Sequence, residues 1–271
     1  MRRNPGLACV VGILLLAASC GREKLSDLEE RADRSFEGVA AAADVKFIAQ
    51  VFAGGLRGVT ADTAPQYVQA AHASIDMTLK SAFSGCVTVT SGASSLQAVF
   101  TCGGPAGLFT IEGTVSAVIR PTLEGTPPHV AVTGTKIEIT LVDFTIGGRE
   151  VGGGMTVSYT PDPQSADVEL DIIVETGRVG SVGVTAEPAI SFAGTCTTLD
   201  GALTLTVAGS AAVDVTATGY ERCRDGCPAQ GGSIEAGAGD LALTITFDGT
   251  GTAQVTGAGG RTATLDLMCE G

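Results

Sequence analysis

The sequence predicts a mainly β protein: an N-terminal segment of about two helices, then a large antiparallel meander forming a sandwich or a partly closed barrel. Three observations predict it. From Cys86 onward apolar residues recur at every second position, as in Val168, Leu170, Ile172 and Val174 between Glu169, Asp171 and Glu175. That is the period of a strand with one buried and one wet face. Turn pairs punctuate these runs at Gly147-Gly148, Asp162-Pro163, Asp200-Gly201, Asp248-Gly249 and Gly259-Gly260. No helical period lies between them, so the crossovers that parallel strands need have no room. About twelve strands are expected.

The first nineteen residues read as an export signal. Arg2 and Arg3 supply positive charge, Leu7 to Leu16 an apolar run, and Ala17, Ala18 and Ser19 a small-residue site. The run is shorter than the ~20 residues a membrane span needs. "LAASC" at Leu16 to Cys20 resembles the lipobox of bacterial lipoproteins, with Ala17 where Leu is usual. The resemblance implies a diacylglyceryl group on the thiol of Cys20, cleavage before it, and attachment to a membrane. Gly21, where Asp retains many lipoproteins in the inner membrane, points to the outer membrane. Cysteine parity agrees: cleavage removes Cys9, lipidation uses Cys20, and six cysteines remain, enough for three disulfides. The expected organisation is a signal peptide at 1–19, a lipidated N-terminus and helical segment at 20–84, and an antiparallel β domain at 85–271.

Leu25, Leu28, Ala32, Phe36, Val39, Ala43, Phe47 and Val51 recur at steps of three and four. They predict one apolar stripe on an amphipathic helix, with Ser26 and Glu29 as a capping box and Gly54-Gly55 as its end. A second helix is expected from Asp62 or Thr63, with Pro65 in its first turn and Val68, His72, Ile75, Leu79 and Phe83 as its stripe. Further on, Ile137, Ile139 and Leu141 are odd while Phe144 and Ile146 are even. That phase slip predicts a bulge near Val142 or Asp143.

Charge excludes some partners. The chain carries −13, and a cut before Cys20 removes Arg2 and Arg3 and no acid, leaving −15. Such a surface repels nucleic-acid phosphates and anionic lipid head groups, so membrane association is expected through the lipid on Cys20. An outer-membrane barrel would carry aromatic girdles, but aromatics are 4% of residues and Trp is absent.

No catalytic motif, cofactor or metal site is expected. His72 and Asp76 are spaced to pair on one helix, and a packed histidine bonding its neighbour is the simpler reading. His129 lies in a separate loop. Asp162, Asp167 and Asp171 could hold a cation, but their neighbours Glu169 and Glu175 read as a solvated face. "GAGDLALTI" at Gly237 resembles one calcium-binding nonapeptide turn, which cannot stack alone. "CRDGCP" from Cys223 reads as a disulfide closed over Asp225-Gly226 rather than a redox dithiol, which favours C-x-x-C at a helix start. Face parity pairs Cys196 with Cys269 and leaves Cys86 with Cys102, among fifteen possible connectivities. Repeated Thr-x-Thr, as at Thr88/Thr90 and Thr204/Thr206, could form a hydroxyl lattice, though Thr is common on solvent faces anyway.

The tail of the chain, "CPAQGGSIEA" with "LTITFDGTGTAQVT" and "GGRTATLDL", resembles uncharacterised Gly/Thr-rich envelope lipoproteins of GC-rich bacteria. That resemblance implies no activity. The expected role is a non-enzymatic structural or interaction one in the cell envelope. The alternative is a carrier of an apolar ligand, with Phe100, Phe109, Phe144 and Phe192 lining a cavity under the helices. A cleft gathering several of Asp143, Asp171, Glu175 and His129 would instead favour an enzyme.

Overall fold

The computed structural model describes residues 25–83, 86–103, 110–126, 129–162, 164–188, 196–207, 210–223, 226–267 and 269. The signal segment, Cys20, Gly85, Phe109, Phe192 and Asp225 lie outside them, as do the side chains of Cys102 and His129. Helix α1 spans Leu25–Gly54 and α2 spans Ala64–Ala82. Thirteen strands follow among the described residues: β1 Val87–Ser91, β2 Ser95–Gly103, β3 Thr110–Thr126, β4 His129–Ile146, β5 Arg149–Pro161, β6 Gln164–Thr176, β7 Gly180–Ala186, β8 Thr197–Val207, β9 Val213–Arg222, β10 Ser233–Ala236, β11 Leu243–Phe247, β12 Thr252–Gly257 and β13 Thr262–Asp266. They form one antiparallel sheet in which each strand pairs only with its neighbours in sequence, and β1 and β13 are its free edges.

Period-two alternation sets this sheet. In β6 every even residue from Ala166 to Val174 is buried and every odd one between them exposed. The expected bulge is present: the β4–β5 register slips between Leu141 and Phe144. Asp143 there has φ 47°. Across the ladder Gly113, with φ 111°, lies so close that an added Cβ would sit 2.1 Å from the Asp143 carbonyl oxygen. Only glycine fits such an approach.

Helix α2 forms as its sequence predicts. Thr63 is the N-cap and its hydroxyl accepts from the Gln66 amide at 3.4 Å. Its stripe, including His72, is buried. Tyr67 joins it to the sheet through a 2.8 Å hydroxyl contact with Thr135 of β4.

Helix α1 differs from its prediction in two ways. It already includes Ser26, so that residue lies within the first turn rather than capping it. More importantly, it is not amphipathic along its middle: every residue from 35 to 49 is buried. A helix buried on all sides is a core helix. It packs against β5 to β8 and β10 to β13, as well as α2. Its supposed wet positions, Glu37, Asp44 and Lys46, are 7%, 0% and 4% exposed. The sheet therefore curves about α1 and encloses it. A single hydrophobic core takes side chains from both helices and all thirteen strands. No described helix is long and apolar enough to cross a membrane.

Candidate functional site

Burying three ionisable residues on one helix requires partners, because an unpaired buried charge is very costly. The sheet supplies them. Arg149, at the start of β5, donates from Nε to Glu37, and its Nη1 lies 3.5 Å from Asp44. Arg222, at the end of β9, donates from Nη2 at 2.5 Å to the other Asp44 oxygen. Two acids and two guanidinium groups thus form a neutral cluster between helix and sheet. Burial opposes the charge on Arg222, but Asp44 beside it holds the proton more tightly than usual. Tyr220, two residues earlier, is enclosed; burial pushes its phenol up to about 12. Its hydroxyl and Nε of Arg222 have no hydrogen-bond partner among the described residues. Lys46 donates to the Thr198 carbonyl at 3.2 Å. Burial lowers its pKa, and Asp200 opposes that shift.

This cluster escaped sequence reading. Its partners lie 105 to 178 residues apart, and no local pattern joins them. The one available signal was the small, apolar run "VAAAADVKFIA" at Val39, too hydrophobic for a surface helix.

His72 does not bond Asp76. It is 4% exposed and its Nε2 has no partner among the described residues, while Asp76 pairs at 2.9 Å with Lys80. Burial lowers the His72 pKa from 6.5. Both residues border an open cleft with Gln69 and Ser91.

Of the carboxylates that would mark an enzyme, Asp143 and Glu175 meet in a shallow depression with Glu150, over Gly152 and Ile173. Glu150 and Glu175 are directly opposed in the ladder. All three acids are exposed. Asp162, Asp167 and Asp171 are likewise exposed strand or turn residues. One row of the outer face reads Thr90, Gln97, Ser116, Thr140, Gly154, Asp171, Thr185 and Thr204 across β1 to β8. Gly154 and Asp171 break it, so these hydroxyls form no continuous lattice.

Four of the cysteines depart from the expected pairing of Cys196 with Cys269 and Cys223 with Cys227. The bonds are Cys196–Cys223 and Cys227–Cys269, so "CRDGCP" closes no bridge within itself. Register is the reason. Thr197 pairs with Arg222 across β8 and β9, which brings Cys196 and Cys223 together at the base of that hairpin. Cys227, beyond the turn, is left for Cys269 after β13. Cys86 is also in a disulfide. Among the described residues one group of three possible metal ligands occurs, Cys196, Glu221 and Cys223, and its two sulfurs are bonded to each other. Disulfides are the mark of an oxidising, exported environment.

The fold thus defines a class: an open antiparallel meander curved about a buried N-terminal helix. No family model, curated protein or solved structure matches this chain.

Proposed function

We propose that the chain is an exported, non-enzymatic lipoprotein of the cell envelope, tethered through Cys20 to a membrane, favoured as the outer one, where its body acts as a rigid structural or interaction scaffold. The supporting observation is α1 itself. The space inside the curved sheet, where a carrier would hold its cargo, is filled by a helix buried on every side from 35 to 49. The aromatic side chains add to the filling. Phe83 meets Phe100 edge-on at 5.0 Å, and Phe100 meets Phe144 at 6.0 Å. An apolar cargo would have to displace α1 and separate Asp44 from both arginines, at a cost of several kcal/mol.

Intact mass and detergent partitioning of the wild type and Cys20→Ala test the tether. The wild type should begin at an acylated Cys20 and enter the detergent phase, and Cys20→Ala should stay in water. A wild-type chain that is unacylated and water-soluble overturns the proposal. Extraction of the purified body should release no lipid beyond the anchor; a stoichiometric second lipid would establish the carrier instead.

A further inference from the structure

The two free edges of the sheet are guarded differently. Edge strands present unpaired N–H and C=O groups, and charges, prolines or bulges usually keep another chain from pairing with them. At β13 such guards are present. Arg261 precedes the strand, Asp266 ends it, and the Asp266 carbonyl accepts from Arg178 at 2.6 Å. At β1 none is found. Its sequence is VTVTS, and its register with β2 is unbroken from Val87 to Ser91. No charged residue occurs from Ser81 to Ile111, the longest uncharged run in the chain, although 17% of all residues are charged. The whole β1–β2 hairpin lies inside that run. Hydrogen bonds fix which backbone groups face out. The Cys86 carbonyl accepts from the Thr101 amide at 3.1 Å, and the Gly92 amide donates to the Ser95 carbonyl at 2.7 Å, both toward β2. By alternation Thr88 and Thr90 also face β2, while Val87, Val89 and Ser91 turn their N–H and C=O groups outward. No described residue bonds to those outward groups.

We propose that β1 is the seam of a two-fold dimer, in which this edge pairs antiparallel with the same edge of a second copy. The edge is self-complementary about Val89. With Val89 on the axis, it lies opposite Val89 of the partner subunit, and Val87 lies opposite Ser91 of the partner subunit. Each such pair exchanges both of its N–H···O bonds. On the exposed outer face Thr88 then faces Thr90 of the partner subunit, and on the inner face the half-buried Val89 gains a β-branched neighbour. Both are favourable cross-strand pairs. Ser91 borders the cleft beside α2 with Gln69, His72 and Ala73, so the seam brings the partner subunit's Val87 to that cleft. Charge selects a second copy at this edge. Two chains that each carry −13 repel over most of their surface. The hairpin brings no charge to the seam, and Asp76 of α2, at the cleft, is paired with Lys80 at 2.9 Å. A two-fold seam uses each β1 edge once, and β13 is guarded, so assembly closes at two copies. This interface goes beyond the scaffold reading and does not depend on lipidation.

Sedimentation equilibrium of the full exported chain tests the seam, with Cys20→Ala present so that no acyl group can hold copies together. The chain should reach twice its own mass at micromolar concentration. Thr88→Glu with Thr90→Glu sets like charges directly opposite one another on the exposed face. It should weaken the dimer about tenfold or more and leave the urea midpoint of the monomer unchanged. Mixing that variant with Thr88→Lys/Thr90→Lys should restore a mixed dimer, which two merely damaged folds would not form. Thr262→Glu with Thr264→Glu, on the exposed face of β13, should leave the dimer intact. A chain that stays monomeric leaves the edge to a strand of another protein and overturns the proposal. A dimer indifferent to the β1 charges, or abolished by the β13 pair, overturns it as well.

Discussion

Asp44 has no exposed surface, and Arg149 and Arg222 reach its two carboxylate oxygens from two strands far apart in sequence. Asp44→Ala strands the Arg222 guanidinium and removes one of the two partners of Arg149, which keeps Glu37. It should cost about 3–5 kcal/mol in urea unfolding. Arg222→Met added to Asp44→Ala should recover part of that loss, since one fewer buried charge is then unpaired. His72 makes the second prediction. Burial lowers its folded pKa below 6.5, so the unfolded chain takes up the proton first as pH falls. At neutral pH and above the group contributes no pH dependence; below its unfolded pKa the folded state loses ground until it too is protonated. Wild-type stability should therefore decline from about pH 7 to about pH 5 more steeply than that of His72→Phe, read by urea midpoints across that range.

At the scale of elements, two adjacent glycines separate two roles. An added Cβ at Gly55 would lie 2.7 Å from the Ile75 Cα, whereas at Gly54 the nearest atom is a Thr78 methyl at 4.0 Å. Gly55→Ala forces α2 away from α1 and should cost about 1–3 kcal/mol. Gly54→Ala should be neutral or slightly stabilising, by up to about 1 kcal/mol, in the same unfolding assay. Sequence marked both glycines as a helix end and could not see that one of them is a helix–helix contact. It did reveal α2, because Thr63, Pro65 and the stripe are local signals. It revealed the β4 bulge for the same reason, from a change of phase within ten residues. The middle of α1 was misread because amphipathicity treats any charge as wet. Glu37, Asp44 and Lys46 become buried only once β5, β8 and β9 arrive.

For the whole molecule, the topology was legible because no helical period interrupts the strand pattern in the sequence, and a meander is then the shortest path. Disulfide pairing was not. Face parity places a cysteine on one side of a strand, but its partner is chosen by register at the strand ends, which brought Cys196 beside Cys223. The candidate site divides in the same way. Cys20, outside the described residues, is proposed from sequence alone, whereas the Glu37–Asp44–Arg149–Arg222 cluster is seen only in the folded chain.

The enclosure of α1 also sets an order of events in time. The helix is synthesised and exported first, but Arg31 closes on Leu241 only after 210 further residues have followed. Neighbouring hairpins can form as they emerge, since each strand needs only the one before it. The helix they enclose has one early partner, α2 at its C-terminal end, and none along the rest of its length. Its small, apolar surface stays exposed through most of the journey, with its acids solvated and its arginines not yet delivered. The enclosure is completed last, when β10 to β13 close over a helix made long before them, and a chain cut short before those strands should leave that helix open to aggregation.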